Sequence, residues 1–456
     1  MIAFPLSELA QTLNGQVLGK DVSIASVSSD SRHLRAGDLY VALQGPRHDG
    51  HDFLDQAAER GAAAAMISHG RHASLPCLLV EDTRLGLGRM AAAWRSRSDA
   101  RVAAVTGSNG KTTVKEMLAA ILRRMGKTLA TEGNLNNDIG LPLTLCRLQE
   151  EAYAVVEMGA NHPGEIDYLS RIAHPDVAIL NNAGRAHLEG FGTLEGVARA
   201  KAEILNGLSD DGVFVYNADD GFASLWQSLA AGRKSLSFGV HQPADVSSPQ
   251  DAARLVWDRD GFHSEFSVRA AEGEMRIKLR LPGEHNRMNA LAAIAAAQVL
   301  GASPEDIQTG LASLRPVPGR LCSLRGRAGI QLVDDSYNAN PDSVRMAVTV
   351  LAQAPGRKLL VLGDLGELGE GAQALHEELG VHARQAGVDR LYSCGELSAW
   401  SSRGFGSGAR HFSRQAELLA CLSDELGAGD TVLVKGSRAA AMDKVVQALR
   451  EEDDAC

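Results

Sequence analysis

Little in this chain serves disulfides, nucleic acids or membranes. Its six cysteines (77, 146, 322, 394, 421 and 456) are scattered, with no C-x-x-C pair. That spacing sets aside zinc and a disulfide framework in favour of reduced thiols. Aromatic residues make up only 4% of the 456, which leaves few platforms on which bases could stack. Acidic residues outnumber basic ones, 56 to 46, for a net charge of −10, the wrong sign for gripping a phosphate backbone. No apolar run reaches the roughly eighteen residues needed to cross a bilayer. No basic residue precedes Lys20, so a signal peptide is not expected. A cytoplasmic protein without nucleic-acid binding or membrane insertion is expected; small-molecule partners and a monomer are further expectations, which composition does not decide. The acidic end from Glu451 to Asp454 reads as a solvated tail.

What is present is ordinary globular material, 45% hydrophobic and 22% charged, with a length that suits about three domains. The most informative stretch is VAAVTGSNGKTTVKEM, from Val102 to Met117. A Val- and Ala-rich strand breaks into a glycine loop, and Lys111, Thr112 and Thr113 then open a helix. Such a loop cradles an anion with backbone N–H groups, and the helix start adds positive potential. Gly107, Ser108, Asn109, Gly110, Lys111, Thr112 and Thr113 are the expected contacts. Lys111 is placed to reach the outer phosphates, and a threonine hydroxyl, Thr112 or Thr113, to hold a magnesium ion. The match to G-x-x-x-x-G-K-[ST] is imperfect, because Val105 stands where the first glycine belongs.

Three α/β units are expected: residues 1–82, 83–314 and 315–456. The first carries a helix over Leu6–Leu13 and strands near Asp38 and Cys77. The second is a parallel sheet, its strands apolar throughout, as sheets covered on both faces require. Alternating residues over 253–281, with Asp260-Gly261 as a turn, add an antiparallel ribbon. The linker RPVPGR (315–320) leads to a second doubly wound unit, ending in a helix over Ala439–Leu449.

Polar clusters stand at several strand ends. Glu157 closes the strand Ala154–Met158 and suits a Mg²⁺ ligand as well as an ordinary strand-end acid. His187 follows the strand Val177–Leu180. Asn134, Asn136 and Asn137 form an amide cluster that suits either a polar ligand or a turn. In DDSYNANPDS (334–343), Asp335 can accept from ribose hydroxyls and the asparagines, Asn338 among them, can face a base or peptide; the same cluster can cap the helix before Pro341. Lys201, in ARAKAEIL, reads by spacing alone as a surface lysine.

In order, GSNGKTTVKEM, GNLNNDIGLPLTL, EMGANHPGEI, NNAGRAHLEGFG, GEHNRMNALAA, DDSYNANPDS and VLGDLGELGE resemble the Mur ligase family, ATP-dependent amide-bond ligases of peptidoglycan precursor synthesis. Within it they are most similar to the branch that adds D-alanyl-D-alanine to a UDP-MurNAc-tripeptide. The resemblance covers nearly the whole chain and accounts for Val105, since TGSNGKTT is similar to the family's own loop. It implies an N-terminal UDP-sugar domain, a central ATPase domain and a C-terminal Rossmann-like domain, with ATP and Mg²⁺ as cofactors. It implies that Lys111 contacts ATP, that Thr112 and Glu157 serve the metal, and that His187 lies near a second metal. Lys201 then matches a lysine carbamylated in several members. Asn286 and Asn289 match nucleotide-binding asparagines, Arg320 an arginine that reaches the phosphates on domain closure, and Asp335 the acid near the ribose. Ser29, Asp30, Ser31, Arg32, Asp49 and His51 resemble UDP-sugar contacts. Arg438 is a candidate for the dipeptide carboxylate, which a guanidinium pairs bidentately; a plain exposed arginine is the alternative. Rivals are a sister ligase for another amino acid and a nucleotide-dependent switch protein, although no N-K-x-D signature is present. An NAD dehydrogenase fails because no G-x-G-x-x-G follows the first strand of the third unit.

Overall fold

The computed structural model of the chain describes residues 2–45, 48–70, 74–184, 188–249, 253–258 and 261–451. Its first five-stranded sheet runs in the order Gln16–Leu18, Cys77–Leu79, Ala64–Ile67, Asp38–Val41, Ser26–Ser28; only the first pair is antiparallel. Against it packs the helix Leu6–Leu13, which buries Leu6, Leu9, Ala10 and Leu13. These positions share one helical face, the pattern that makes a short helix adhere to a sheet.

The central sheet has a parallel heart, in the order Thr128–Ala130, Tyr153–Glu157, Arg101–Thr106, Val177–Leu180, Val213–Asn217, Lys234–Gly239. Parallel strands all end at one edge, so Gly107, Glu157 and Asn181 gather there although far apart in sequence. The helix Glu284–Val299 buries an Ala-rich surface against the helix Lys111–Met125 and the sheet. Alanines let two helices and a sheet approach closely without paying side-chain entropy. The expected ribbon is present as strands Arg254–Asp258, Gly261–Ala270 and Gly273–Leu279, all antiparallel. Asp260 of its expected turn lies outside the described residues.

The third sheet runs Cys322–Arg325, Gln331–Asp335, Asp430–Lys435, Arg357–Gly363, Arg390–Cys394, Ala409–Phe412, parallel except at its first pair. The helix expected over Ala439–Leu449 is instead a single turn, Arg438–Ala440, followed by a helix over Asp443–Leu449. Ala441 at φ +48° breaks it. The break drops Met442 into the core beside Gly436, where an added Cβ would stand 2.6 Å from the Met442 Cγ. The edge strand Ala409–Phe412 carries no apolar alternation and was not legible. Cys77, Cys146, Cys394 and Cys421 are free thiols. No described helix is long and apolar enough to cross a membrane.

The ribbon also joins two domains. Phe262 is buried in the third domain's core with Leu321, Val333 and Val348, and Trp257 meets it edge-on at 4.9 Å. Gly261 makes the approach possible: at φ +116°, a Cβ there would lie 2.4 Å from the Ser323 Oγ. Phe262→Ala is expected to cost about 3–5 kcal/mol, as for other buried aromatics. It should lower the unfolding midpoint of the third domain, followed by denaturant titration; an unshifted midpoint would contradict the clamp.

Candidate active site

A cavity of about 900 Å³ opens where the central sheet's strand ends face the third domain, a size that suits a nucleotide-scale ligand. Its floor is the loop after the strand Arg101–Thr106. Gly107 at φ +152° and Gly110 at φ +80° turn the backbone there, and the helix begins at Lys111. Not every loop amide faces outward. The Ser108 N–H donates to the Asn182 carbonyl at 3.1 Å, and the Asn109 N–H to the Asn182 Oδ1 at 2.9 Å. The amides of Gly110, Lys111, Thr112 and Thr113 are the helix-start donors that lack an intrahelical acceptor, and these four residues line the cavity. Such a set of donors can hold an anion.

Below the loop lies a buried amide network. The Asn181 Nδ2 donates to the Asn109 carbonyl and to the Asn289 Oδ1, both at 2.9 Å. Asn289 in turn donates to the Asn286 Oδ1 at 3.2 Å. Both asparagines line the cavity, yet the polar atoms of Asn289 are already engaged beneath the loop, so it braces the cradle. Gly110 interlocks with this network, since a Cβ would stand 2.3 Å from the Asn289 Oδ1.

Lys111 donates to the loop carbonyls of Gly107 at 2.7 Å and Ser108 at 3.3 Å. Desolvation lowers its pKa, opposed by the Glu157 charge and reinforced by Arg320. The Thr112 hydroxyl donates to the Glu157 Oε2 at 2.8 Å and accepts from the Arg320 Nη2 at 3.1 Å. Asn136 donates to the other Glu157 oxygen at 2.8 Å. Two hard oxygen donors side by side suit an oxygen-seeking divalent cation. The Arg320 Nε is buried without a partner, a donor of the kind that an anion's oxygen would satisfy.

The third domain closes the cavity. The Asn340 Nδ2 reaches the Asn109 Oδ1 at 2.8 Å, while the Asn340 Oδ1 caps its own helix through the Ser343 N–H. Asp335 lines the cavity, but one oxygen accepts from the Lys435 Nζ at 2.6 Å and the other from the Leu321 N–H at 3.2 Å. Asn338 receives Lys435 on its carbonyl at 3.0 Å, and Arg438 is exposed at the rim.

Other expected site residues stand elsewhere. Asn137 caps the helix start through the Gly140 N–H at 2.8 Å, and Asn134 is exposed. Ser29, Asp30, Ser31, Arg32, Asp49 and His51 belong to the first domain. There Arg32 forks onto Asp30 at 2.9 and 2.8 Å, and Ser31 bonds to Gln56. His51 contacts Asp49 at 2.6 Å and accepts from the Ser68 N–H at 3.0 Å. His187 lies outside the described residues. Lys201 is not the surface lysine its spacing suggests: it is 2% exposed, with its ammonium 5.4 Å from the Phe191 ring centroid. Burial, with Lys111 nearby, pulls its pKa down to about 7. Asn181, Asn182 and Tyr337 carried no expected role, although the quoted blocks contain all three.

Comparison with known proteins places these features in context. Residues 105–297 match the Mur ligase middle domain, 319–438 the Mur ligase, glutamate ligase domain, and 23–124 the Mur ligase family, catalytic domain. The UDP-N-acetylmuramoyl-tripeptide–D-alanyl-D-alanine ligase of Escherichia coli is 46% identical over 454 residues, covering 99% of each chain. The Bacillus subtilis enzyme of that name is 35% identical, again over 99% of each. A crystal structure of MurF from Acinetobacter baumannii superposes with a TM-score of 0.91 at 36% identity over 98% of each chain. MurF ligase from Thermotoga maritima in complex with ADP superposes with a TM-score of 0.82 at 31% identity, covering 93% of this chain and 96% of that one. From the Gly110 interlock, Gly110→Ala is expected to weaken binding of a nucleoside triphosphate by at least about tenfold, since both its φ and the adjacent amides exclude a side chain. Calorimetric titration checks this; unchanged affinity would contradict it.

Proposed function

The chain belongs to the Mur ligase family, and from that premise we propose that it joins D-alanyl-D-alanine to the tripeptide of a UDP-N-acetylmuramoyl-tripeptide, driven by ATP, in the synthesis of cell-wall precursors. One observation carries the reading. A phosphate cradle, the Thr112–Glu157 oxygen pair and Arg320 from another domain meet in a single cavity, in a chain whose relatives of that name match it end to end.

The free tripeptide carboxylate attacks the γ-phosphorus of ATP, the bond to ADP breaks, and an acyl phosphate forms. The dipeptide amine then attacks the carbonyl, and phosphate leaves with the C–O electron pair. Two anions must first be brought together. Lys111, the amides of residues 110–113 and Arg320 offset that repulsion and hold the charge that spreads over the transferring group. Thr112 and Glu157 would hold Mg²⁺, which when bound would supply further positive charge at the phosphate oxygens. Asn136 keeps the Glu157 carboxylate turned toward Thr112. Asn340 on Asn109 seats the third domain on the loop, which excludes water from an intermediate that hydrolyses readily. Arg438, at the rim, takes the dipeptide's carboxylate. The first-domain residues Ser29 to Arg32, with Asp49 and His51, take the UDP-sugar end.

Lys201 enters this scheme as a carbamate. A buried amine with a pKa of about 7 is mostly neutral above that pH, and only the neutral amine adds CO₂. The carbamate therefore accumulates as pH rises through 7 and is lost as pH falls below it. With ¹³C-bicarbonate, a carbamate resonance absent from Lys201→Ala is expected at alkaline pH; its absence from the unsubstituted protein would remove this role.

The activity is checked by phosphate release with UDP-MurNAc-tripeptide. Release should require D-Ala-D-Ala and should not occur with glutamate or diaminopimelate in its place. Lys111→Ala should lower it by about 10²–10³-fold or more, the scale of losing one preorganised charge-stabilising donor. Equal release with another amino acid would point to a sister ligase.

A further inference from the structure

We propose that Tyr337 is a positioning residue that holds two guanidiniums, those of Arg320 and Arg438, over one aromatic ring and so fixes two subsites relative to each other. The proposal rests on the reading above, in which Arg320 faces the phosphates of ATP and Arg438 the carboxylate of the dipeptide.

Tyr337 leaves the third sheet two residues after the strand Gln331–Asp335 and lines the cavity. The Arg320 Cζ lies 4.5 Å from its ring centroid and the Arg438 Cζ 5.5 Å. Both are within the range at which a ring's quadrupole attracts a cation. The two arginines come from distant parts of the chain. Arg320 ends the linker, and Arg438 begins the turn after the strand Asp430–Lys435. Two cations brought to one place repel, and a shared aromatic ring offsets that repulsion without neutralising either charge. A carboxylate in the same place would neutralise the charge that each substrate needs.

The ring is itself held in place. The Tyr337 N–H donates to the Gly319 carbonyl at 3.1 Å. Gly319 sits at φ +76°, and a Cβ there would lie 2.9 Å from the Tyr337 Cβ, so only glycine lets linker and ring pack this closely. On either side, the Ser336 hydroxyl bonds to the Asp334 Oδ1 at 2.6 Å, and the Asn338 carbonyl accepts from Lys435 at 3.0 Å. Arg320 is thus held at one end by Thr112 and against the ring by Tyr337, leaving its buried Nε for a ligand. Placement of this kind matters because small displacements of a catalytic group cost large factors in rate.

The test uses the full chain and steady-state kinetics with each substrate varied in turn. Tyr337→Leu keeps the bulk and removes the π-face. It should raise KM for both ATP and D-Ala-D-Ala by roughly three- to tenfold, the scale of a cation–π contact. KM for UDP-MurNAc-tripeptide and the unfolding midpoint should stay in place. Tyr337→Phe, which keeps the face and loses only the hydroxyl, should restore most of the loss. Unchanged KM values in Tyr337→Leu, or equal impairment in Tyr337→Phe, would overturn the proposal. Arg438→Ala separates the two layers. If it leaves KM for D-Ala-D-Ala unchanged, the assignment of Arg438 fails, and Tyr337 is then judged on KM for ATP alone.

Discussion

A single hydroxyl joins the parts of this molecule that chemistry requires to be together. Thr112 donates to Glu157 and accepts from Arg320, so one oxygen links the phosphate loop, the neighbouring strand end and the third domain. Each partner arrives by a different route: the loop from local sequence, Glu157 from parallel strands ending at a common edge, Arg320 from the linker between domains. If the third domain swung away, the oxygen pair would survive, but the cation that faces it would leave. Charge compensation at the site is therefore a property of the domain arrangement as much as of the loop.

That arrangement is held from opposite sides. At the cavity, Asn340 bonds to Asn109 in the loop; behind it, Phe262 of the central ribbon is buried in the third domain's core. The first contact is polar, small and adjacent to the ligand, the second apolar and remote. Such a division suits an enzyme whose intermediate must be kept from water while substrates and products still pass. The buried amide network beneath the loop plays a comparable part at shorter range, fixing backbone donors in advance so that little reorganisation is needed when charge arrives.

How much of this could be read from the chain depends on how local each feature is. The phosphate loop was legible because strand, glycines and helix start are contiguous, and Glu157 because a strand's last residue falls at the shared edge. The antiparallel ribbon showed in its alternation, but not that Phe262 serves another domain's core, since a buried aromatic looks alike whichever core it enters. Lys201 was misread by spacing, because an Ala-rich helix with charges resembles a surface helix until neighbours cover it. Asn137 was read as suiting either a polar ligand or a turn, and it caps a helix start, a use open to any asparagine in that place. Asp335 was expected near a ribose; its pairing with Lys435, a hundred residues away, is a contact that no local pattern announces. Asn181 and Tyr337 escaped for the same reason: their roles are set by residues that only the tertiary fold brings near.

The central claim is that the cradle delivers a phosphoryl group to a carboxylate before any amide forms. Tripeptide precursor labelled with heavy oxygen in its free carboxylate tests this most directly, with mass spectrometry of the phosphate released during ligation. The account predicts that one labelled oxygen per turnover leaves in inorganic phosphate, since the bond formed at phosphorus is to a carboxylate oxygen. Amide product accompanied by unlabelled phosphate would contradict it.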